Sequence, residues 1–190
     1  LDYAHAHNVV HRDIKPANIM YDSGTDAVKV TDFGIARITD SSKTRTGLVL
    51  GTPSFMSPEQ LAGKKVDGRS DLYSLGVTLF QLLTGELPLR GDSMTELMHK
   101  IASVDAPDIR QLRPELSPSL ARTVATALHK RPEGRYQTGR QFAQDLRQAG
   151  VAHGQTAMPE SGAVVYDANR DATGPNMVDF QETVIEPPAG

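Results

Sequence analysis

The stretch HRDIKPANIMYDSGTDAVKVTDFG, residues 11–34, carries the side chains that decide the fold. Residues 19–21 and 28–30 are short runs of strand-forming side chains, and a dense cluster of turn formers occupies residues 22–26 between them. This order of strand, turn and strand predicts an antiparallel β-hairpin.

The register of the predicted hairpin decides which polar side chains meet at its open end. We expect Met20 to face Val30 and Asn18 to face Asp32. Directly opposed residues in such a ladder lie about 5 Å apart. An amide oxygen and a carboxylate brought together in this way suit Mg²⁺, which takes one or two protein oxygens and otherwise prefers phosphate and water. The hairpin therefore predicts a magnesium site at Asn18 and Asp32.

Two charged side chains, Asp13 and Lys15, lie in the loop before the first strand. Alternate positions in an extended loop point the same way, so this carboxylate and this ammonium group can share one pocket. Together with two magnesium ligands, they form a site for a substrate hydroxyl group, a polyphosphate and Mg²⁺. Such a site is typical of phosphoryl transfer, in which catalysis is mostly positioning and charge neutralisation.

The motif HRDIKPAN, followed by DFG, resembles the catalytic motifs of the eukaryotic-type protein kinase superfamily. The resemblance implies that Asp13 orients the substrate hydroxyl group and accepts its proton. It also implies that Lys15 contacts the transferring phosphate of ATP, and that Asn18 and Asp32 hold Mg²⁺. The resemblance further implies structural roles for three other motif residues: His11, Phe33 and Gly34.

A polar stretch rich in Ser and Thr covers residues 35–56. One interpretation is a mobile surface loop; the other, implied by the resemblance, is an activation loop, because the stretch lies between DFG and SPE. Thr44 and Thr46 are our preferred phosphorylation sites in such a loop. The resemblance gives Arg12 the role of pairing with the phosphate, and Arg37 can join it through charge-assisted hydrogen bonds.

The segment GTPSFMSPE, residues 51–59, resembles the part of a protein kinase that shapes the peptide-binding site. Ser57 replaces the usual alanine, which is a small change. Thr52 can hydrogen-bond both Asp13 and Lys15 and so tie the substrate loop to the catalytic loop. Thr52 together with Lys15 indicates specificity for serine and threonine rather than tyrosine.

Most of the remaining sequence predicts helices. Residues 69–84, RSDLYSLGVTLFQLLT, carry the strongest signal, because leucines recur at steps of three and four residues. Ser70 can cap the start of this helix, and Gly85 can end it. Three further helices are predicted over residues 94–103, 116–129 and 138–148.

Two structural roles follow from the resemblance, and each has a simpler alternative. Asp71 would bind backbone amides of the catalytic loop from below, or it is only an acidic residue in the first turn of its helix. Arg135 would pair with Glu59 of the SPE motif, or it is an ordinary solvated arginine.

The start of the chain bears on the fold class. Residues 1–7 look like the end of a helix that Asn8 terminates in a left-handed conformation. The chain contains no G-x-G-x-x-G motif, which a full protein kinase places before this point. We therefore expect an α+β, mostly α fold over residues 1–148, in which a helical bundle carries a small β-hairpin at the catalytic site. This is the C-terminal lobe of a kinase catalytic domain, with the N-terminal lobe missing.

Composition sets broad limits on the 190 residues, which carry a net charge of -3 and no cysteine. The absence of cysteine fits a reducing compartment, and we expect a cytoplasmic protein, although a membrane tether outside this segment is compatible with the sequence. No apolar run reaches about 18 residues, so we expect no membrane segment within the chain. The negative charge argues against nucleic acid as the main partner.

The charge is unevenly distributed, because residues 149–190 form an acidic, proline-interrupted tail that we expect to be disordered. Within it, residues 180–186 (FQETVIE) form a short apolar island around Thr183. One interpretation is leftover sequence in a disordered tail. The other is a docking segment that is phosphorylated at Thr183 and bound by a forkhead-associated domain protein.

The motifs together favour a serine/threonine protein kinase of the bacterial branch, which transfers the γ-phosphoryl group of ATP to protein hydroxyl groups with the help of Mg²⁺. Two alternatives belong to other classes of protein. A small-molecule kinase, such as an aminoglycoside-type phosphotransferase, has a related loop but lacks the SPE segment. A non-catalytic scaffold or pseudokinase would retain the fold as an interaction module.

Overall fold

The computed structural model describes residues 1–33 and 53–151. The chain divides into two units, Leu1–Ala157 and Met158–Gly190, and every described residue belongs to the first. The described helices and strands are α1 (Asp2–Ala6), β1 (Ile19–Asp22), β2 (Ala27–Val30), α2 (Pro58–Leu61), α3 (Gly68–Thr84), α4 (Met94–Ser103), α5 (Pro118–Ala127) and α6 (Gly139–Val151). Single 3₁₀ turns cover Pro16–Asn18, Pro53–Phe55, Ile109–Gln111 and Pro132–Gly134.

The predicted hairpin is present, but its predicted register was wrong by one residue. β1 and β2 pair antiparallel, with Ile19 opposite Val30 and Met20 opposite Lys29. We had expected Met20 opposite Val30, which would also have placed Asn18 opposite Asp32. A shift of one residue turns every side chain of a strand to the other face, so the two potential magnesium ligands are not a directly opposed pair.

The turn between the strands explains this register. Asp22 belongs to β1 and pairs with Ala27, so the connection has four residues. The carboxylate of Asp22 accepts hydrogen bonds from the Gly24 backbone N–H at 2.9 Å and from the Thr25 hydroxyl group at 2.7 Å. These bonds close a tight turn directly after β1. Asp22 is therefore the last residue of the strand rather than the first residue of the turn, and the strand pairing differs by one position from the predicted pairing.

The long helix α3 forms the centre of the core. Leu72, Val77 and Phe80 are at most 1% exposed, and their side chains pack in two clusters against α5 and the start of α6. At Gly76 a side chain is sterically excluded, because a Cβ atom there would lie 2.8 Å from the Cβ atom of Ala127 in α5. This close approach of α3 and α5 makes the centre of the bundle dense.

The predicted end of α3 is confirmed, but the predicted start is wrong. Gly85 terminates the helix in a left-handed conformation with φ of 78°. Asp67, rather than Ser70, is the N-cap, since its carboxylate accepts from the Arg69 backbone N–H at 3.0 Å. The hydroxyl group of Ser70 donates instead to the carboxylate of Glu59 in α2.

The other predicted helices are present with small differences at their ends. α4 has the predicted bounds, and Ser117 and Pro118 begin α5 as a cap and first-turn proline. α5 ends earlier than predicted, and α6 continues to Val151 rather than residue 148. Asn8 has φ of 59°, which confirms the left-handed stop after α1.

Helix α1 is attached to the rest of the described structure at both ends. The carboxylate of Asp2 accepts from the backbone N–H groups of Gly139 at 2.5 Å and Arg140 at 2.8 Å, so it caps the start of α6. At the other end, the His5 ring contacts Asp71 in α3 at 2.8 Å. The loop that follows α1 therefore leaves from a well-anchored helix.

Among residues 1–33 and 53–151, no helix combines the length and the apolar character that crossing a membrane requires.

Candidate phosphoryl-transfer site

The loop at residues 11–18 is held from below by the buried carboxylate of Asp71. Its Oδ2 accepts the His11 backbone N–H and its Oδ1 accepts the Arg12 backbone N–H, each at 2.8 Å. The His5 ring nitrogen Nε2 lies 2.8 Å from the same Oδ2. Asp71 is 0% exposed, so these donors replace the water that an ionised carboxylate would otherwise require. Asp71 therefore lies in the first turn of α3 and also beneath the loop.

The side chain of His11 joins this loop to the end of β2. Its Nε2 lies 2.7 Å from the carbonyl oxygen of Thr31, and its Nδ1 lies 3.2 Å from the backbone N–H of Asp13. A carbonyl oxygen only accepts and an N–H only donates, so the network places the ring proton on Nε2. The ring also packs against Phe33, with centroids 4.7 Å apart. His11 thus brings the two halves of the motif region together.

Three of the predicted catalytic and binding side chains form a local cluster. The Lys15 Nζ atom lies 3.0 Å from Asp13 Oδ2. The Asn18 side-chain nitrogen donates to the Asp13 carbonyl oxygen at 2.8 Å and to its carboxylate at 3.2 Å. Both charged side chains remain accessible, with 37% of Asp13 and 28% of Lys15 exposed. A carboxylate and an ammonium group are therefore presented together at the surface of the loop.

Asp32 follows the end of β2, at the same end of the hairpin as Asn18, although the two are not paired across the hairpin. The Thr31 backbone N–H donates to the Asn18 carbonyl oxygen at 2.9 Å, so Asp32 follows one residue beyond the paired position. Asp32 is exposed and has φ of 56°, a left-handed conformation that an aspartate tolerates better than most residues. The correct register therefore leaves the two potential ligands at the same end of the hairpin.

The donor atoms of Asn18 and Asp32 suit a magnesium ion. Because the Asn18 nitrogen is bonded to Asp13, the amide is oriented with its Oδ1 atom free of the described donors. The carboxylate of Asp32 also has no described donor. Two oxygen ligands fit Mg²⁺, which binds proteins through few groups and completes its shell with water and phosphate. No group of three or more His, Cys, Asp or Glu side chains in the described ranges forms another metal site.

The SPE segment, residues 57–59, is attached to the helical bundle by a buried ion pair. The guanidinium group of Arg135 donates to Glu59 at 2.7 and 2.8 Å, and the two side chains are 0% and 8% exposed. The same guanidinium group lies 4.9 Å from the ring centroid of Tyr73. Burial disfavours the charged form of Glu59, but the hydrogen bonds from Arg135 and Ser70 outweigh it and hold the pKa of this carboxyl group below its usual value.

One residue that the sequence did not single out connects this segment with the loop. Gln60 follows Glu59 in α2, and its side-chain nitrogen donates to the carbonyl oxygen of Arg12 at 2.9 Å. Its side-chain oxygen accepts from the Ser57 backbone N–H at 3.0 Å, which completes a capping box. The spacing S-x-x-Q is a recognisable capping signal, whereas the contact with Arg12 spans 48 residues and has no local signal.

Several predicted site residues lie outside the described residues, and their roles stay predictions. They are Gly34, Arg37, Thr44, Thr46, Thr52 and Thr183. The predicted disorder of residues 149–190 also falls almost entirely outside the described part of the chain.

Comparison with known proteins identifies the family. The family model described as protein kinase domain matches residues 1–147. The chain therefore belongs to the protein kinase family, and the predicted family and mostly helical fold class are confirmed. Members of this family generally use ATP and Mg²⁺ and act on protein substrates.

Individual relatives agree with this assignment. The serine/threonine-protein kinase PknB of Mycolicibacterium smegmatis is 43% identical over 173 residues, which cover 90% of this chain and 27% of the relative. The protein of the same name from Mycobacterium leprae is 46% identical over 172 residues, with the same coverage. The chain thus spans about a quarter of the length of these relatives. A crystal structure of the Mycobacterium tuberculosis PknI kinase domain matches with a TM-score of 0.58 and 30% identity, over 78% of this chain and 49% of that one.

Proposed function

We propose that the protein containing this chain is a serine/threonine protein kinase. It transfers the γ-phosphoryl group of ATP to serine or threonine hydroxyl groups of other proteins. The observation that carries the proposal is the cluster of Asp13, Lys15 and Asn18 on a loop whose backbone is held by the buried carboxylate of Asp71. The family assignment and the names of the relatives support the same reaction.

The chemistry follows from the side chains on the loop. The carboxylate of Asp13 orients the substrate hydroxyl group and accepts its proton as the oxygen attacks the γ-phosphorus and the bond to the β–γ bridging oxygen breaks. The ammonium group of Lys15, 3.0 Å from Asp13, stabilises the negative charge on the transferring phosphoryl group. Asn18 and Asp32 would hold Mg²⁺, which supplies charge neutralisation at the phosphate oxygens when it is bound.

Residues 1–148 would form the C-terminal lobe of the catalytic domain. This part presents the groups for the substrate hydroxyl and for the metal, but the chain has no glycine-rich phosphate loop. The groups that bind adenine and the α- and β-phosphates would come from other parts of the full-length protein. We accordingly expect the 190-residue chain alone to transfer little phosphate, since positioning of both reactants supplies much of the rate acceleration.

A phosphotransfer assay on the full-length protein tests the proposed function. Purified protein with ATP and Mg²⁺ should phosphorylate a Ser- and Thr-containing protein, and the Asp13→Asn variant should not. Asp92→Asn is a matched control, because Asp92 is exposed in the loop before α4 and its carboxylate has no described partner. Nucleotide binding without any transfer would instead support the non-catalytic scaffold.

Regulation by phosphorylation is part of the proposal. The guanidinium group of Arg12 has no acidic partner among the described residues, although it lies next to Asp13 in the loop. A phosphate on Thr44 or Thr46 would give this cation a partner, and Arg37 would add a second. Such charge-assisted contacts order a loop and thereby shape the substrate site.

The tail supplies a second phosphorylation site in the proposal. Thr183 is flanked by Val184 and Ile185 in an otherwise polar, acidic segment. A phosphothreonine beside apolar side chains is the kind of ligand that forkhead-associated domains bind through arginine and backbone amides. Mass spectrometry of the active full-length protein should find phosphate at Thr183. Occupancy at Thr44 or Thr46 with none at Thr183 would rule out this part of the proposal.

A further inference from the structure

The backbone of Arg12, directly before Asp13, is in a left-handed conformation with φ of 68°. A residue with a side chain is strained in this conformation, which persists only where the surroundings hold it in place. Here both sides of the residue are held. The Arg12 N–H donates to Asp71 Oδ1 at 2.8 Å, and its carbonyl oxygen accepts from Gln60 Nε2 at 2.9 Å.

The peptide group between Arg12 and Asp13 is therefore fixed at both of its polar atoms. Its carbonyl oxygen is bonded to Gln60, and its N–H, which belongs to Asp13, points to His11 Nδ1 at 3.2 Å. Rotation of this peptide plane would swing the Asp13 side chain away from its present place beside Lys15 and Asn18. The orientation of Asp13 thus depends on a hydrogen bond that comes from another part of the chain.

The side-chain amide of Gln60 suits this role, whereas an ionised glutamate at the same position would not. The oxygen accepts from the Ser57 backbone N–H, and the nitrogen donates to the Arg12 carbonyl oxygen, so the amide orientation is unambiguous. A glutamate at this position would also complete the capping box with Ser57. In its ionised form, however, it cannot donate to a carbonyl oxygen.

The helix that carries Gln60 is a fixed support. Ser57 is 0% exposed and caps α2, and the neighbouring Glu59 is bonded to Arg135 and Ser70 in the bundle. A hydrogen bond from a rigid element holds its partner more precisely than one from a mobile loop. The position of the SPE segment therefore determines, through Gln60, the position of the peptide group that precedes Asp13.

We propose that Gln60 is a positioning residue for phosphoryl transfer, which orients Asp13 by holding the Arg12 carbonyl group. The proposal rests on the proposed kinase function. A displacement of the SPE segment would remove this hydrogen bond and lower the rate of transfer without removing any group that touches the substrate or ATP.

The test compares Gln60→Glu with wild type in the full-length protein. The variant keeps the shape of the side chain and the acceptor for Ser57, but it places a negative charge against the Arg12 carbonyl oxygen. We expect kcat to fall by about 100-fold near pH 8, as for small displacements of a catalytic group, with little change in KM for ATP. Gln144→Glu on the exposed face of α6 is the control for the added charge.

A pH series separates positioning from a general loss of structure. When the new carboxyl group is protonated, it can donate to the Arg12 carbonyl oxygen as the amide does. The ratio of variant to wild-type kcat should therefore rise as the pH falls from 8 towards 5. A ratio near one at every pH would overturn the proposal, and so would a loss that is constant with pH and accompanied by a lower Tm.

Hydrogen exchange gives a readout that does not depend on activity. At pH 8 the peptide covering residues 9–20 should exchange faster in Gln60→Glu than in wild type, and Gln144→Glu should match wild type. Unchanged exchange in both variants would overturn the role of Gln60 in holding the loop. If the wild-type protein transfers no phosphate while exchange responds as expected, the proposed kinase function fails but the structural coupling stands.

Discussion

The guanidinium group of Arg135 donates to both carboxylate oxygens of Glu59, at 2.7 and 2.8 Å, although the two residues are 76 positions apart. The pair joins α2 to the turn that precedes α6. Arg135 also donates to three backbone carbonyl groups, those of Arg69, His129 and Lys130. Every polar atom of this buried pair thus has a described partner, which is the condition under which buried charges are tolerated.

Removal of one member of this pair should strongly destabilise the protein. In Arg135→Ala, the Glu59 carboxylate stays buried without its counter-ion, and the free energy of unfolding should fall by about 3–5 kcal/mol. Urea unfolding followed by circular dichroism measures the change. Arg110→Ala is the control, because Arg110 pairs with Asp108 on the surface and its loss should have a much smaller effect. Similar losses in the two variants would contradict the assigned importance of the buried pair.

The same pair predicts how stability depends on pH. Hydrogen bonds from Arg135 and Ser70 hold the folded-state pKa of Glu59 below its ordinary value of 4.5. The folded state therefore favours the charged carboxylate, and this stabilisation is present above pH 4.5 and is lost as the pH falls through the folded-state pKa. The difference in unfolding free energy between wild type and Glu59→Gln should be largest near neutral pH and should shrink below pH 4.5. A difference that stays constant into the acid range would count against the assignment.

Substitution of the two site aspartates should separate their roles. Asp13→Asn removes the proton acceptor and should lower kcat by about 100- to 10,000-fold while nucleotide affinity stays nearly unchanged. Asp32→Asn removes a metal-binding carboxylate, so it should lower kcat and also weaken binding of ATP with Mg²⁺. Steady-state kinetics and nucleotide titrations of the full-length protein measure both effects. An equal loss of nucleotide affinity in the two variants would contradict the separate roles.

The proposed phosphate contact of Arg12 should appear as energetic coupling. Arg12→Ala and the double change Thr44→Ala/Thr46→Ala remove opposite members of one ion pair, so their effects on activity should be non-additive. Combining them should cost little more than either alone, because the second change has no remaining partner to remove. A double-mutant cycle on the full-length protein measures the coupling. Strictly additive effects would show that Arg12 and the phosphorylated threonines act independently.

Local features of the sequence were sufficient to predict every described α-helix except the short α2, Pro58–Leu61, which was not predicted. The leucine pattern located α3, Gly85 located its end, and Ser117 with Pro118 located the start of α5. These signals work because a helix buries one stripe of side chains every 3.6 residues and satisfies its terminal backbone groups with neighbouring residues. Each of these signals lies within a few residues of the helix that it defines.

Features that depend on competing partners were predicted less well. Asp22 can belong to a turn or to a strand, and the hydrogen bonds to Gly24 and Thr25 decide for the strand. Ser70 has the right chemistry for an N-cap, but Glu59 lies within reach and Asp67 takes the cap instead. In each case the residue type allowed two hydrogen-bonding arrangements. Contacts within the turn selected one for Asp22, and the nearby Glu59 carboxylate selected one for Ser70.

The sequence by itself determined the family, the order of the hairpin and of every described helix except α2, and the side chains available for phosphoryl transfer. Only the tertiary structure decided the position of Asp71 beneath the loop and the contact between Gln60 and the Arg12 carbonyl group. The reason is physical. Periodicity and capping are encoded between neighbouring residues, whereas a buried polar group takes its partner from whichever distant donor or acceptor the packed core brings within hydrogen-bonding distance.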